Sequence, residues 1–426
     1  MSPDAAVVRR VMAEMEMSLN MVMTAENLQG SWLEGWQGPT FLTFRFRLWQ
    51  PTGAMLARAL RLARACEMAL TCAPVRIYQE SGILHVEVPS PWPVTLAADL
   101  LAGRGLHVPL GVSGRSSVAG LEVVGYDFQT DPHLALLGAT GSGKTTGLYA
   151  ILYQLARQNP AGRVRFVICA LAAKAAGWQT IASLSHCQAL ITSGPEMHQA
   201  LRWFSDLART RAGRQPAYFL VVDDLLAILD QVDISDQLRV IASLGREPGI
   251  HLLLASQQGG KAGVADTAAN LRGRLVFAAA DARQAALAAG RGGTGAERLG
   301  LTPGDALLVL GGHQRRLLVA AVTSAAWASL PHQTLEQRPW RPASSPAAST
   351  ASTGAAQSVL PAPPAPVIPA STLVLARLPP RPPDAAALAE LRRRYALFGT
   401  KNRTLISAYG SKNLRYLALL NHALAE

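Results

Sequence analysis

The stretch GATGSGKTT at 138 to 146 constrains this chain more than any other. Gly138, four residues, then Gly143, Lys144 and Thr145 is the spacing of a loop whose glycines turn backbone N–H groups inward around an anion. HLALLG before it reads as a buried strand and TTGLYAILYQLARQ after it as a helix, so the loop lies at the positive end of a helix dipole. That unit commits the chain to a sheet whose strand ends carry the site. The expected phosphate cradle is Gly138, Ala139, Thr140, Gly141, Ser142, Gly143, Lys144, Thr145 and Thr146. Its ligand is ATP with Mg²⁺: Lys144 bridges the β- and γ-phosphates and the Thr145 hydroxyl ligates the ion.

Downstream the chain alternates apolar strands with amphipathic helices: RVRFVICAL, MHQALRWFSDLARTR, AYFLVVDD, SDQLRVIASLGR, GIHLLLASQ and RLVFAAA. This pattern predicts a mostly parallel sheet covered by helices on both faces, an α/β RecA-like P-loop motor over residues 131 to 331. AYFLVVDD delivers two carboxylates at a strand end, Asp223 for the Mg²⁺ shell and Asp224 as the base that orients the attacking water. GIHLLLASQ ends on Ser256 and Gln257, which places Gln257 to sense the γ-phosphate or the lytic water.

Residues 1 to 130 read as a small α+β subdomain: an amphipathic helix and a turn region to residue 37, a strand in TFLTFRFRLW, a helix from about 53 to 72, then strands VRIYQ and ILHVEVP. Between 332 and 383 the composition shifts to Pro, Ala and Ser, which predicts a disordered tether. Residues 384 to 426 regain helical periodicity and form a small helical module. The four cysteines, Cys66, Cys72, Cys169 and Cys187, fit neither a zinc nor a disulfide spacing and are expected to be buried thiols in a reducing compartment.

The chain carries a net charge of +12, which favours a polyanionic partner: nucleic acid first, an acidic membrane surface behind it. From residue 335 onward eleven basic residues face four acidic ones, so the C-terminal part supplies much of that charge. No run approaches the ~18 unbroken apolar residues of a membrane span. A cytoplasmic protein without a membrane span is expected.

Taken in order, GPTFLTFRF, HVEVPSP, LHVPLGVSGR, PHLALLGATGSGKT, FLVVDDLLAIL, GREPGIHLLLASQ, NLRGRLVF and GAERLGLTPGDALLV resemble the FtsK/SpoIIIE family of double-stranded DNA translocases over about residues 1 to 328. The resemblance implies a homohexameric ring that threads duplex DNA and is driven by ATP hydrolysis. It also implies an arginine reaching a neighbour's site, with Arg274, Arg283 and Arg291 as candidates. Three features depart from the family: Asp223-Asp224 stands where Asp-Glu is usual, CALAAK keeps only Lys174 of an Asp-Pro-Lys, and the insertion before the second acidic strand is nearly absent. The shorter second carboxylate predicts slow hydrolysis, since about an ångström of misplacement costs on the order of a hundredfold.

DNA contacts are expected from two Gly-bearing loops, around Lys174 and around Lys261, which suit sequence-blind phosphate tracking or are ordinary solvated loops. In the C-terminal module DAAALAELRRRYA supplies Arg392, Arg393 and Arg394, and the helix after Gly410 opens with Lys412 and Arg415. That arrangement fits a helix-turn-helix whose second helix enters the major groove, or a bundle that docks a protein. The function expected from all of this is an ATP-dependent double-stranded DNA translocase in chromosome, plasmid or mobile-element transfer. An ATP-gated DNA-binding or partition factor and a protein-secretion motor of the same class are the alternatives.

Overall fold

A computed structural model describes residues 5–49, 51–114, 120–257, 271–300, 302–333 and 367–369. It contains two sheets, and alternation along the strands of the smaller one explains how they meet. The smaller sheet has the order β1-β2-β4-β3, with β1 at Gly30–Gln37, β2 at Phe41–Leu48, β3 at Arg76–Glu80 and β4 at Ile83–Pro89. Leu42, Phe44 and Phe46 of β2, Leu84, Val86 and Val88 of β4 and Ile77 of β3 share one face. That face packs on Met15, Leu19 and Met23 of helix α1 (Ala5–Ala25) and on α3 (Ala63–Leu70). With a period of two, the other face must carry Thr43, Arg45, His85, Glu87, Arg76 and Tyr78. It is polar and aromatic, and it turns toward the rest of the chain.

Strand β1 lies where a turn region was expected, and its sequence hides it. A bulge between Trp32 and Glu34 breaks the alternation: Trp32 pairs with Phe46 on the apolar face, whereas Trp36 pairs with Thr43 on the polar one. The single helix expected from 53 to 72 is two, α2 (Gly53–Ala59) and α3, separated by a turn in which the N–H groups of Arg61 and Leu62 bond three residues back.

The large sheet has eleven strands. Six run parallel in the order β12-β7-β11-β10-β8-β9, with β7 at Leu134–Leu137, β8 at Val164–Cys169, β9 at Cys187–Ile191, β10 at Ala217–Asp223, β11 at Ile250–Ser256 and β12 at Gly273–Phe277. This is the RecA-like half. Its strands read as unbroken apolar runs because both faces are covered, by α4 (Lys144–Gln158) and α5 (Ala175–Ala182) on one side and by α6 (Gly194–Thr210) and α8 (Ser235–Leu244) on the other. The short helix α7 (Leu225–Leu229) follows β10 directly, and α9 (Ala282–Ala289) follows β12.

Beyond β12 the sheet continues antiparallel through β13 (Asp305–Leu310), β14 (His313–Val319), β5 (His107–Gly114), β6 (Gly120–Asp127) and β15 (Val367–Pro369). The short helix α10 (Ser324–Ala328) closes this part. The boundary expected at residue 130 therefore moves: β5 and β6 belong to the large sheet, joined to β14 where Gly111 pairs with Val319 and Val112 with Leu318. Glycine is required at 111, because a Cβ there would lie 2.0 Å from the Leu318 carbonyl oxygen. Within the segment expected to be only a tether, Val367–Pro369 pairs with Gly120, Leu121 and Glu122 at the sheet edge. All four cysteines are buried free thiols, and burial pushes each up to about 12. No helix among the described residues is long and apolar enough to cross a membrane.

Candidate functional site

The four residues of β7 are all buried, and the strand ends in the loop at Gly138. Gly141 and Gly143 have φ of +77° and +111°, which keeps the loop open around its centre. Gly143 precedes the first turn of α4 and is backed by Gly304: a Cβ on Gly143 would lie 2.5 Å from the Gly304 nitrogen. The Gly304 N–H donates to the Ser142 carbonyl at 3.1 Å, so the loop rests on the segment before β13. Lys144 Nζ donates to the Gly138 and Ala139 carbonyls, each at 2.8 Å. Partial burial lowers the Lys144 pKa, Asp224 opposes that shift, and nearby Lys174 adds to it.

On the neighbouring parallel strands, β10 presents Asp223 and Asp224 and β11 leads to Gln257. Asp224 sits in the left-handed region at φ +66°, a conformation that aspartate tolerates better than most residues. That backbone turn directs consecutive carboxylates into one cavity, of about 210 Å³, which Lys144, Thr145 and Gln257 also line. Trp178 of α5, itself buried, donates its indole N–H to Asp223 Oδ2 at 3.2 Å. Gln257 Nε2 donates to Asp224 Oδ2 at 3.4 Å. Burial raises the Asp223 pKa, with Lys174 and the Trp178 bond working against it.

Lys174, expected on a DNA-tracking loop, ends a short turn, Ala172–Lys174, and lines the cavity, 3.0 Å from Asp224 Oδ2 and 3.9 Å from Asp223 Oδ2. Two of the three candidate arginines are also engaged within their own chain. Arg274 donates to the Leu287 and Ala288 carbonyls at the C-terminal end of α9, and Arg291 donates to the Gly312 carbonyl. Arg283 is exposed on α9. Lys261, Arg392, Arg393, Arg394, Lys412 and Arg415 lie outside the described residues.

Sequence reasoning missed Trp178, Pro303 and Gly304. No local pattern marks Trp178, which reaches Asp223 from α5, a helix packed beside β9. Pro303 and Gly304 sit in the GLTPGD stretch, about 160 residues after the loop they support, and that stretch carries the resemblance without assigning either residue to the site.

The residues present fit Mg²⁺. Thr145 and Asp223 offer hard oxygen donors in one cavity. Among the described residues no cluster of three or more His, Cys, Asp or Glu side chains could hold a metal by itself.

Residues 108–219 match the FtsK/SpoIIIE family model. The chain is 24% identical over 265 residues to the DNA translocase FtsK of Helicobacter pylori strain J99, which covers 54% of this chain and 31% of that protein. It is 26% identical over 269 residues to the DNA translocase FtsK of Chlamydia trachomatis serovar D, covering 52% of this chain and 32% of that one. The chain thus spans about a third of the length of these curated relatives. Among solved structures, the pCW3 conjugation coupling protein TcpA, in its monomer form with ATPgS, shares the fold at a TM-score of 0.50 and 16% identity, over 73% of this chain and 96% of that one. Together the loop, the strand-end carboxylates and these matches identify a P-loop ATPase that is similar to the FtsK/SpoIIIE family over residues 108–219.

Proposed function

We propose that this chain hydrolyses ATP at the cavity between β7 and β10 and uses the cycle to move double-stranded DNA through a ring of identical subunits. The observation that carries the reading is the meeting of Lys144, Thr145, Asp223, Asp224 and Gln257, from separate segments, around one cavity at the carboxyl ends of parallel strands. Similarity to DNA translocases over half of the chain supports DNA as the track.

Lys144 exchanges the Gly138 and Ala139 carbonyls for phosphate oxygens, and the exposed N–H groups of the loop receive the β-phosphate. Thr145 and Asp223 would hold Mg²⁺, which when bound neutralises developing charge on the phosphates. Trp178 fixes the Asp223 carboxylate in place. Asp224 accepts a proton from the attacking water, and Gln257 orients that carboxylate through its amide. Arg283 is the arginine assigned to a neighbouring subunit's site.

The reading is tested by ATPase assays with and without duplex DNA, beside displacement of a triplex-forming strand. Stimulation by DNA together with displacement, both lost in Lys144→Ala, supports the motor. ATP-dependent DNA binding without displacement would replace it with the nucleotide-switch reading. Particle images with an ATP analogue and DNA test the ring.

A further inference from the structure

A single carboxylate oxygen joins two arms that hold the phosphate loop. Oε2 of Glu87, on β4 of the small sheet, accepts from Arg316 Nη1 at 2.8 Å and from Arg76 Nη1 at 2.7 Å. Glu87 is 2% and Arg76 1% exposed, so bulk water does not compete for either bond. The first arm runs through β14, where Arg316 grips both oxygens of Asp305, at 2.9 and 2.6 Å. Asp305 Oδ2 also accepts from the Gly300 N–H at 3.2 Å, which ties down the segment before β13. That segment carries Pro303, which lines the nucleotide cavity, and Gly304, whose N–H donates to the Ser142 carbonyl.

The second arm starts at Arg76, whose Nε donates to the Thr294 carbonyl at 2.7 Å. Gly295 lies against the same side chain, since a Cβ there would be 2.9 Å from Arg76 Cγ. Next in the chain, the Ala296 carbonyl accepts from the Ala279 N–H at 3.2 Å, and the adjacent Ala278 carbonyl accepts from the Ala139 N–H at 2.8 Å. The arms therefore reach opposite halves of the loop, Ser142 by one and Ala139 by the other. They meet at Glu87.

Ion pairs that served only to hold two sheets together could end on any groups at the contact. Here both guanidinium groups end on segments that bond directly to the loop. The contacts leave little slack: a Cβ on Gly138 would lie 2.8 Å from Phe277 Cβ, and one on Gly143 would lie 2.5 Å from the Gly304 nitrogen. Packing this close passes a displacement on rather than absorbing it. A shift of about an ångström is enough to cost on the order of a hundredfold where geometry matters. We propose that Glu87 is a positioning residue for nucleotide binding: through Arg316 and Arg76 it ties the seating of the small sheet to the geometry of residues 138 to 144. ATP affinity then depends on a sheet that lines no part of the nucleotide cavity. Such coupling is reciprocal, so bound nucleotide holds the small sheet in place by the same factor. The proposal rests on the reading of the loop as the ATP site.

The test uses the full chain, with the slowly hydrolysed analogue ATPγS and Mg²⁺ titrated by calorimetry. Glu87→Gln keeps the size of the side chain, removes its charge, and is expected to weaken binding about five- to tenfold. Leu19→Ala, in α1 on the far face of the same sheet, destabilises the subdomain without touching the junction and should change affinity less than about twofold. Unchanged affinity in folded Glu87→Gln protein, or equal weakening by both variants at a matched loss of melting temperature, would overturn the proposal and leave a structural clamp. Should Glu87→Gln not fold, which its thermal melt reports, hydrogen exchange on the unaltered chain decides. The amides of β3, β4 and residues 294 to 296 should exchange at least about threefold more slowly with ATPγS, relative to those of β9 at the opposite edge of the large sheet. Slowing no greater than at β9 overturns the proposal. Absence of any ATPγS binding by the unaltered chain would break the ATP-site reading and the proposal with it, whereas the other adverse outcomes break the proposal alone.

Discussion

Two clusters of opposite charge occupy the two halves of the large sheet, and they are built on contrary lines. In the nucleotide cavity Lys174 is 40% exposed and touches Asp224 at 3.0 Å, with Gln257 approaching the same oxygen at 3.4 Å. At the junction with the small sheet Arg316 is 6% exposed. It bonds Asp305 at 2.9 and 2.6 Å and Glu87 at 2.8 Å, while Arg76 bonds Glu87 at 2.7 Å and the Thr294 carbonyl at 2.7 Å. The side chains of Phe41 and Tyr78 lie against the two guanidinium groups. In the proposed cycle, a charge that changes partners sits where water eases the exchange. One that fixes two sheets together sits where water does not reach, so that separating the pair leaves a bare buried charge. The two clusters are close in the chain: Asp305 follows Gly304, which bonds the phosphate loop through Ser142.

Breaking the junction should give the largest effect on stability. Arg316→Leu strands Asp305 and Glu87 and is expected to cost about 3–5 kcal/mol in denaturant unfolding. A loss below about 1 kcal/mol would show that the buried pairs are no stronger than surface ones. At the nucleotide cavity the ordering reverses. Lys144→Ala should lower ATP hydrolysis by on the order of 10²–10³-fold, about 3–4 kcal/mol in the transition state, with the melting temperature nearly unchanged.

The pH response separates the clusters further. His251 is buried beneath the parallel half, its Nδ1 is 2.9 Å from the Pro132 carbonyl, and burial lowers its pKa to about 4. Its folded pKa lies below the unfolded one, so the unfolded chain binds the extra proton first and stability falls as pH drops from about 6.5 to about 4. The expected loss is about 3 kcal/mol, and His251→Asn should remove only this part of the fall, because burial also lowers the pKa of His133, to about 3. Glu87, held below the ordinary carboxylate range by Arg76 and Arg316 against its desolvation, contributes stability that is present above its unfolded pKa near 4.5 and lost only below it. Protonation of Glu87 belongs to the more acid limb. Asp224→Asn should reduce kcat by about a hundredfold with little change in KM, as expected of a group used only in the reaction step. The smallest effect is expected at the junction's rim, where the partly exposed Arg315 pairs with Glu122: Arg315→Gln should cost under about 1 kcal/mol.

Much of the parallel half was legible because its signals are local. The phosphate loop, AYFLVVDD and GIHLLLASQ each announce a strand end through composition, and the sheet rule brings those ends together. Lys174 was read as a DNA contact because CALAAK carries no mark of what lies near it, and only the tertiary fold brings it within 3.0 Å of Asp224. Arg274 and Arg291 were plausible as free cations until the structure paired them with carbonyls of α9 and of the β13–β14 turn. Strand β1 was invisible because one extra residue defeats a two-residue period.

The sequence by itself determined the P-loop ATPase domain and its principal carboxylates, since glycine spacing and apolar runs are short-range signals. Tertiary structure alone decided which charges remain exchangeable and which are sealed. Asp223, Asp305 and Glu87 are equally buried, and what differs is the cation the folded chain sets beside each: the partly exposed Lys174 at Asp223, and the sealed Arg316 and Arg76 at the other two.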